Sequence, residues 1–349
     1  MAFTPTRTGR AISLVAAALL PLAALSACGS SDKSEPAASG GDKVLRVAFF
    51  NAITTNTYTA AVLNGLKDGA GAAHAEVTNF DAKFDATAQV NQMQDALATG
   101  KYDAFVVVPI NNAGLVPVAR QAVSDGVTVV SVLSTIGTDL DTLKSSVDGV
   151  ITIGQTFTNN GNDIAGEVVK ACAGIDPCKV AYMPGDAKQA SEKIRKDAVL
   201  AALAKTPSIT VVSTQPGGFD ANTGLTTSQD IITAHPDVNV IAASAGQAIA
   251  GAVKAIDQAK LTGKVKLVSN GATEDDVDGI RAGTIFSSPI FLPRTEGQKA
   301  MELIAQVAAG KDVPTEVDEL QFSPIGRIAD AASLATAEGK KFTGEYQSH

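Results

Sequence analysis

Few residues in this chain can do covalent or metal chemistry, and their spacing does not suit it. The three histidines are His74, His235 and His349, at two helix ends of the sequence pattern and at the last residue. None pairs with a serine or cysteine in a nucleophile setting, and G-x-S-x-G is absent. No phosphate-cradling G-x-x-x-x-G-K-[ST] occurs. The acids of GATEDDVDG (271–279) lack the ordered spacing of a calcium loop. They read as the acid-rich start of a helix, where the helix dipole favours them. Cys172 and Cys178 flank a Gly-Ile-Asp-Pro turn in ACAGIDPCKV. Two thiols with no histidine nearby fall short of a metal site. Outside the cytoplasm a local disulfide is expected, contributing little by loop entropy because the loop is short. Two unpaired thiols are the alternative. No catalysis, metal or cofactor is called for, which leaves non-covalent binding.

The elements that would position a binding site alternate along the chain. VLRVAFF (44–50) reads as a buried strand, followed by a helical period through Val62, Leu63 and Leu66. AFVVVPI, VTVVSVL, KVAYMPG, VNVIAAS and KVKLVSNG repeat the strand signal between further helical periods, one of them containing Pro117. Short β-branched runs between helices imply βαβ units and parallel sheets. The rhythm restarts after VITIGQT, so the fold class is α/β, with two doubly wound parallel-sheet lobes. Ligands of such sheets bind beyond the carboxyl ends of the strands.

The N-terminus has a different character. MAFTPTRTGR is basic, and residues 11–27 carry no charge. A basic stretch, an apolar run of about 17 residues and then small residues mark a signal peptide. The run is short of the roughly 20 residues a spanning helix needs. Leu25-Ser26-Ala27-Cys28 resembles the lipobox of bacterial lipoproteins, which implies lipidation at Cys28 and cleavage before it. Residues 29–43, GSSDKSEPAASGGDK, have too little apolar surface to fold and read as a flexible tether. Removing Arg7 and Arg10 with the signal leaves 26 basic against 36 acidic residues, a net charge of about −10. That argues against nucleic acid and against direct binding to an anionic membrane surface.

The ordered run from FDATAQVNQMQDALATGKYDAFVVVPINNAG (84–114) through GGFDANTGLTTSQDIITAHPDVNVIAAS (217–244) resembles the sugar-type, ribose-binding-protein-like receptors of ABC importers. The resemblance spans Val44 to about Ile325. It implies a type I periplasmic-binding-protein fold with three hinge crossings, near 155–158, 290–293 and 321–325. The implied division is a signal peptide at 1–27, a tether at 28–43, an N-terminal lobe at 44–156 plus 292–321, and a C-terminal lobe at 157–291 plus 322–333. Residues 334–349 read as a flexible tail without a role.

It also implies partners: a small-molecule ligand, a membrane ABC permease and a membrane contact through the lipid on Cys28, with the protein itself a monomer. A receptor feeding a membrane sensor kinase is the alternative. A DNA-binding regulator of this fold is excluded, because a signal and tether occupy the place of its helix-turn-helix.

The implied ligand contacts are Asn51, Asn56 and Tyr58 after the first strand, Asn111 after the third and Ser134 after the fourth. In the second lobe they are Asn159, Arg195, Gln247, Asn270 and, near a crossing, Phe291. Several depart from the family pattern: Leu133-Ser134 replace an Asp-Arg pair, and Ala245-Gly246 replace Asn-Asp. An unpaired sugar hydroxyl in a dry cleft costs about 1–3 kcal/mol. The departures therefore suggest a less polar or bulkier ligand than a free pentose or hexose, such as a modified sugar, a polyol derivative or a small ring compound, with a sugar as the family default, and Arg195, if it faces inward, suits a carboxylate.

Overall fold

A computed structural model describes residues 43–349. Cys28, the signal and nearly all of the tether lie outside the described residues. The first series runs β1 (Leu45–Asn51), α1 (Thr57–Ala70), β2 (Ala75–Asp81), α2 (Ala86–Ala98), β3 (Ala104–Val107), α3 (Val116–Ser124), β4 (Thr128–Leu133) and β5 (Ile151–Gly154). The second runs α4 (Phe157–Ala171), β6 (Cys178–Met183), α5 (Ala190–Leu203), β7 (Ile209–Ser213), α6 (Ala221–Ala234), β8 (Val240–Ala243), α7 (Gly246–Gln258), β9 (Lys266–Val268), α8 (Glu274–Ala282) and β10 (Ser287–Pro289). The chain then returns through α9 (Pro293–Ala308) and β11 (Glu316–Asp318), and crosses again to β12 (Ile328–Asp330) and α10 (Ala331–Ala335).

Two six-stranded sheets result, ordered β2-β1-β3-β4-β5-β11 and β7-β6-β8-β9-β10-β12. All pairs are parallel except β10 with β12. Both sheets switch winding direction beside their first strand, between β1 and β3 and between β6 and β8. That switch opens a crevice at the carboxyl ends.

Local sequence explains the layers. β1 is buried on both faces, which accounts for its unbroken apolar run. Val47 and Phe49 pack under α1 and α9, whereas Ala48 and Phe50 pack under α2 and α3. Pro117 falls in the first turn of α3, where its missing N–H costs no helical hydrogen bond. The acids of GATEDDVDG form the first turn of α8, with a Thr273–Asp276 capping box. Glycine sets the contact of α1 with α9. A Cβ on Gly65 would sit 1.9 Å from the Arg294 carbonyl oxygen, and one on Gly297 would sit 2.2 Å from that of Val62. Cys172 and Cys178 are joined as a disulfide between the end of α4 and β6, with Cα atoms 5.7 Å apart.

The three crossings share one buried carboxylate. Glu319, on the third, accepts from Gln155 Nε2 of the first at 2.9 Å and from the Leu292 N–H of the second at 2.7 Å. Gln155 also donates to the Ile290 carbonyl at 2.9 Å.

The end of the chain differs from the sequence reading. Phe342, Tyr346 and Ser348 are buried, and the segment is hydrogen-bonded along its length. Its composition is polar enough to read as loose, but its partners come from residues far away in sequence.

Candidate functional site

A cavity of about 130 Å³ lies where the carboxyl ends of the two sheets face one another. Pockets for drug-sized ligands run to about 300–1,000 Å³, so this cavity suits a small solute. The turns after β1, β3 and β4 and the start of α1 line it on one side with Asn56, Tyr58, Asn112 and Ser134. The starts of α4 and α7, helix α5 and the turn after β9 line it on the other, with Phe157, Glu192, Arg195, Gln247 and Asn270. Phe291, on the second crossing, and Tyr346 complete the wall.

The wall mixes aromatic and polar side chains. Tyr58 meets Phe291 edge-to-face with ring centres 6.0 Å apart, and Tyr346 likewise at 5.6 Å. The Tyr58 hydroxyl is turned away from ligand duty, because it donates to Glu296 Oε2 at 2.5 Å. Burial and the neighbouring Glu296 and Glu319 hold that phenol well above its ordinary pKa. Glu296 also accepts from the Leu133 N–H at 3.1 Å. Leu133 sits at φ +71°, a strained conformation for a branched side chain. Burial and the adjacent Glu319 raise the Glu296 carboxyl. Burial pushes Glu319 up to about 8.

Arg195 faces inward and is 3% exposed. Its guanidinium lies 5.0 Å from the centre of the Phe157 ring and 5.8 Å from that of Phe291. Glu192, one helical turn earlier, pairs with it. Glu192 is fixed in turn by the Gly185 N–H at 2.9 Å and the Ser244 hydroxyl at 2.7 Å. The expectation that Arg195 suits a ligand carboxylate is thereby corrected. Its charge is already neutralised, and a second buried anion would go uncompensated.

Of the ten expected contacts, the structure brings Asn56, Tyr58, Ser134, Arg195, Gln247, Asn270 and Phe291 to the cavity. It leaves out Asn51, Asn111 and Asn159. Asn51 is fully buried, accepting from the Ile53 N–H at 3.0 Å. Asn111 is exposed and accepts from the Gly114 N–H, so it builds the turn. Its neighbour Asn112 lines the cavity instead, donating to Ser134 Oγ at 2.8 Å and to the Thr135 carbonyl at 2.7 Å. Asn159 points outward from α4, and the inward residue is Asn160, fully buried. Asn160 and Asn270 exchange reciprocal amide hydrogen bonds of 2.9 and 3.1 Å. Asn270 gives its second N–H to the Ser244 carbonyl, so both its donors are committed within the protein.

Sequence reasoning missed Asn112, Phe157, Glu192, Phe219 and Tyr346. Phe157, the first residue of α4 and within the first crossing, carried a positional signal, whereas Tyr346 carried none.

The chain matches the periplasmic binding protein domain over residues 47–312. It is similar to the ribose import binding protein of Salmonella typhimurium, at 30% identity over 44% of this chain and 51% of that protein. It thus spans about half the length of that relative. The xylitol-binding protein of Mycolicibacterium smegmatis is 22% identical over 87% of this chain and 82% of its own length. A solved ABC transporter solute-binding protein from Mycobacterium smegmatis, with bound glycerol, superimposes with a TM-score of 0.71 at 25% identity, over 86% of this chain and 98% of that one. A match across most of the chain and a cavity between two doubly wound lobes lead to one conclusion: the chain belongs to the periplasmic binding protein family, in its type I form.

Proposed function

We propose that this chain is an extracytoplasmic solute receptor of an ABC importer. It captures a small neutral sugar or polyol between its lobes and presents it to a permease by hinge closure. The observation that carries the reading is the cavity itself: a small space where the rings of Tyr58, Phe157, Phe291 and Tyr346 stand among polar side chains such as Asn56, Ser134 and Gln247. Aromatic faces suit the apolar face of a sugar ring. Asn56 spends its oxygen capping α1, which leaves its amide N–H groups for a hydroxyl. Ser134 accepts from Asn112 and keeps its own proton to donate. A neutral ligand fits better than an acid, because the Arg195–Glu192 pair carries no net charge. The family's relatives bind solutes rather than transform them, so no turnover is expected. Closure is favoured only to the extent that the ligand contacts both lobes at once.

Isothermal titration with D-ribose, xylitol and D-glucose tests the ligand class. Micromolar binding of at least one is expected. Binding of none, with micromolar binding of a small carboxylate instead, would refute it.

The anchor belongs to the same reading. Cys28 carries the lipid that keeps the receptor at the membrane, and residues 29–43 give it reach. The Cys28→Ala variant is expected in the soluble fraction. Retention of that variant in the membrane fraction would count against lipid anchoring.

A further inference from the structure

The end of the chain makes contacts that the receptor reading does not require. We propose that residues 342–348 are a fourth tie between the lobes, and that Tyr346 on this strap is a specificity-determining wall of the cleft.

The strap holds both sides. On the first lobe, the Glu345 carboxylate accepts from the Thr295 N–H at 2.9 Å, at the start of α9, and the Gln347 carbonyl accepts from Thr57 Oγ1 at 2.6 Å, at the start of α1. On the second, the Tyr346 carbonyl accepts from the Glu274 N–H at 2.8 Å, and the Ser348 N–H donates to Asp275 Oδ2 at 2.9 Å. Ser348 and Thr273 share a hydroxyl contact of 2.6 Å, and Arg281 donates to the Phe342 carbonyl at 2.7 Å. Thr57 also receives Gln247 Nε2 from the other lobe at 3.2 Å, so strap and cross-cleft contact meet on one hydroxyl.

Two glycines have the form the strap needs. Gly344 has φ +83°, and a Cβ there would lie 2.7 Å from the Glu274 nitrogen. Gly271 has φ +117°, and a Cβ there would lie 1.9 Å from the Tyr346 hydroxyl oxygen. The second lobe thus leaves a bare backbone patch where Tyr346 is seated. From that seat the ring reaches Tyr58 of the first lobe edge-to-face.

Opening the hinge therefore requires the strap to release one lobe. The first lobe is the weaker hold, since fewer separate groups of the strap engage it. While the strap is seated, the closed arrangement is populated without ligand, and apparent affinity scales with that population. Tyr346 also caps the cavity at small-solute size, and its loss enlarges the space.

Spin labels at Asn111→Cys and Lys188→Cys, which line one groove at the rim from opposite lobes, report the opening in ligand-free protein. The full chain is expected to give a short, narrow distance distribution. A chain ending at Thr343, checked for a cooperative melt, is expected to give a longer and broader one. Superimposable distributions would overturn the tie. For the wall, which rests on the small-solute reading, titration compares D-glucose with xylitol. Tyr346→Ala is expected to shift their affinity ratio about tenfold toward glucose, the scale of one or two lost contacts, and Tyr346→Phe to restore it. An unchanged ratio overturns the wall. The label distances need no ligand, so a failure of the receptor reading and a failure of the tie are read separately.

Discussion

Replacing Glu319 with glutamine probes the point where the three crossings meet. The carboxyl is fully buried, and burial lifts it from about 4.5 to about 8. The folded protein therefore binds this proton more tightly than the unfolded chain does. Between those two pH values the unfolded chain has released a proton that the folded one keeps, so stability falls as pH rises through the window. At 1.36 kcal/mol per pH unit, the gap sets an upper value of about 5 kcal/mol lost between pH 4.5 and pH 8. Below the window the term is fully present, and above it the loss is complete. Glu296, raised for the same reason, adds a loss of the same sign.

The amide introduced by Glu319→Gln cannot titrate, and its nitrogen cannot accept a hydrogen bond. One of the donors from Gln155 and Leu292 is left without its acceptor, at about 1–3 kcal/mol. The variant should thus be less stable than the parent at pH 5, and equal or more stable at pH 9. Urea unfolding of both proteins at unit pH steps from 5 to 9 measures the difference. A difference that stays constant across that range would refute the reasoning.

Two further outcomes follow from packing and charge. Arg195→Ala strands a buried Glu192 and should cost about 3–5 kcal/mol of stability, with much of it recovered in the Arg195→Ala/Glu192→Gln double variant; equal melting points for the single and double variants would contradict a paired charge. Gly65→Ala forces α1 off α9 and should lower stability by about 1–3 kcal/mol, read as a drop in melting temperature, whereas an unchanged melt would mean that the helices separate freely.

The polar positions show how far sequence reaches into the site. At both Asn111 and Asn159 the sequence reading falls one residue short of the asparagine that faces inward. On a helix one residue is a turn of about 100°, enough to move a side chain from the interior to solvent. Asn159 and Asn160 lie on α4, so that rotation separates them directly. At Asn111 and Asn112 the tight turn after β3 does the same. Neither composition nor spacing distinguishes two adjacent asparagines. Arg195 does face the cleft, but what it offers a ligand depends on its ion pair with Glu192, which Gly185 and Ser244 hold in place only after folding.

Apolar periodicity is a property of neighbouring residues, so the βα alternation and the restart after β5 are legible before any folding is considered. Folding was required to reveal the aromatic enclosure, the Glu319 junction and the seat of Tyr346. These join groups separated by long stretches of chain, Tyr58 to Glu296 and to Tyr346 among them. Burial then changed their chemistry by stripping water from carboxyls that look ordinary in the sequence.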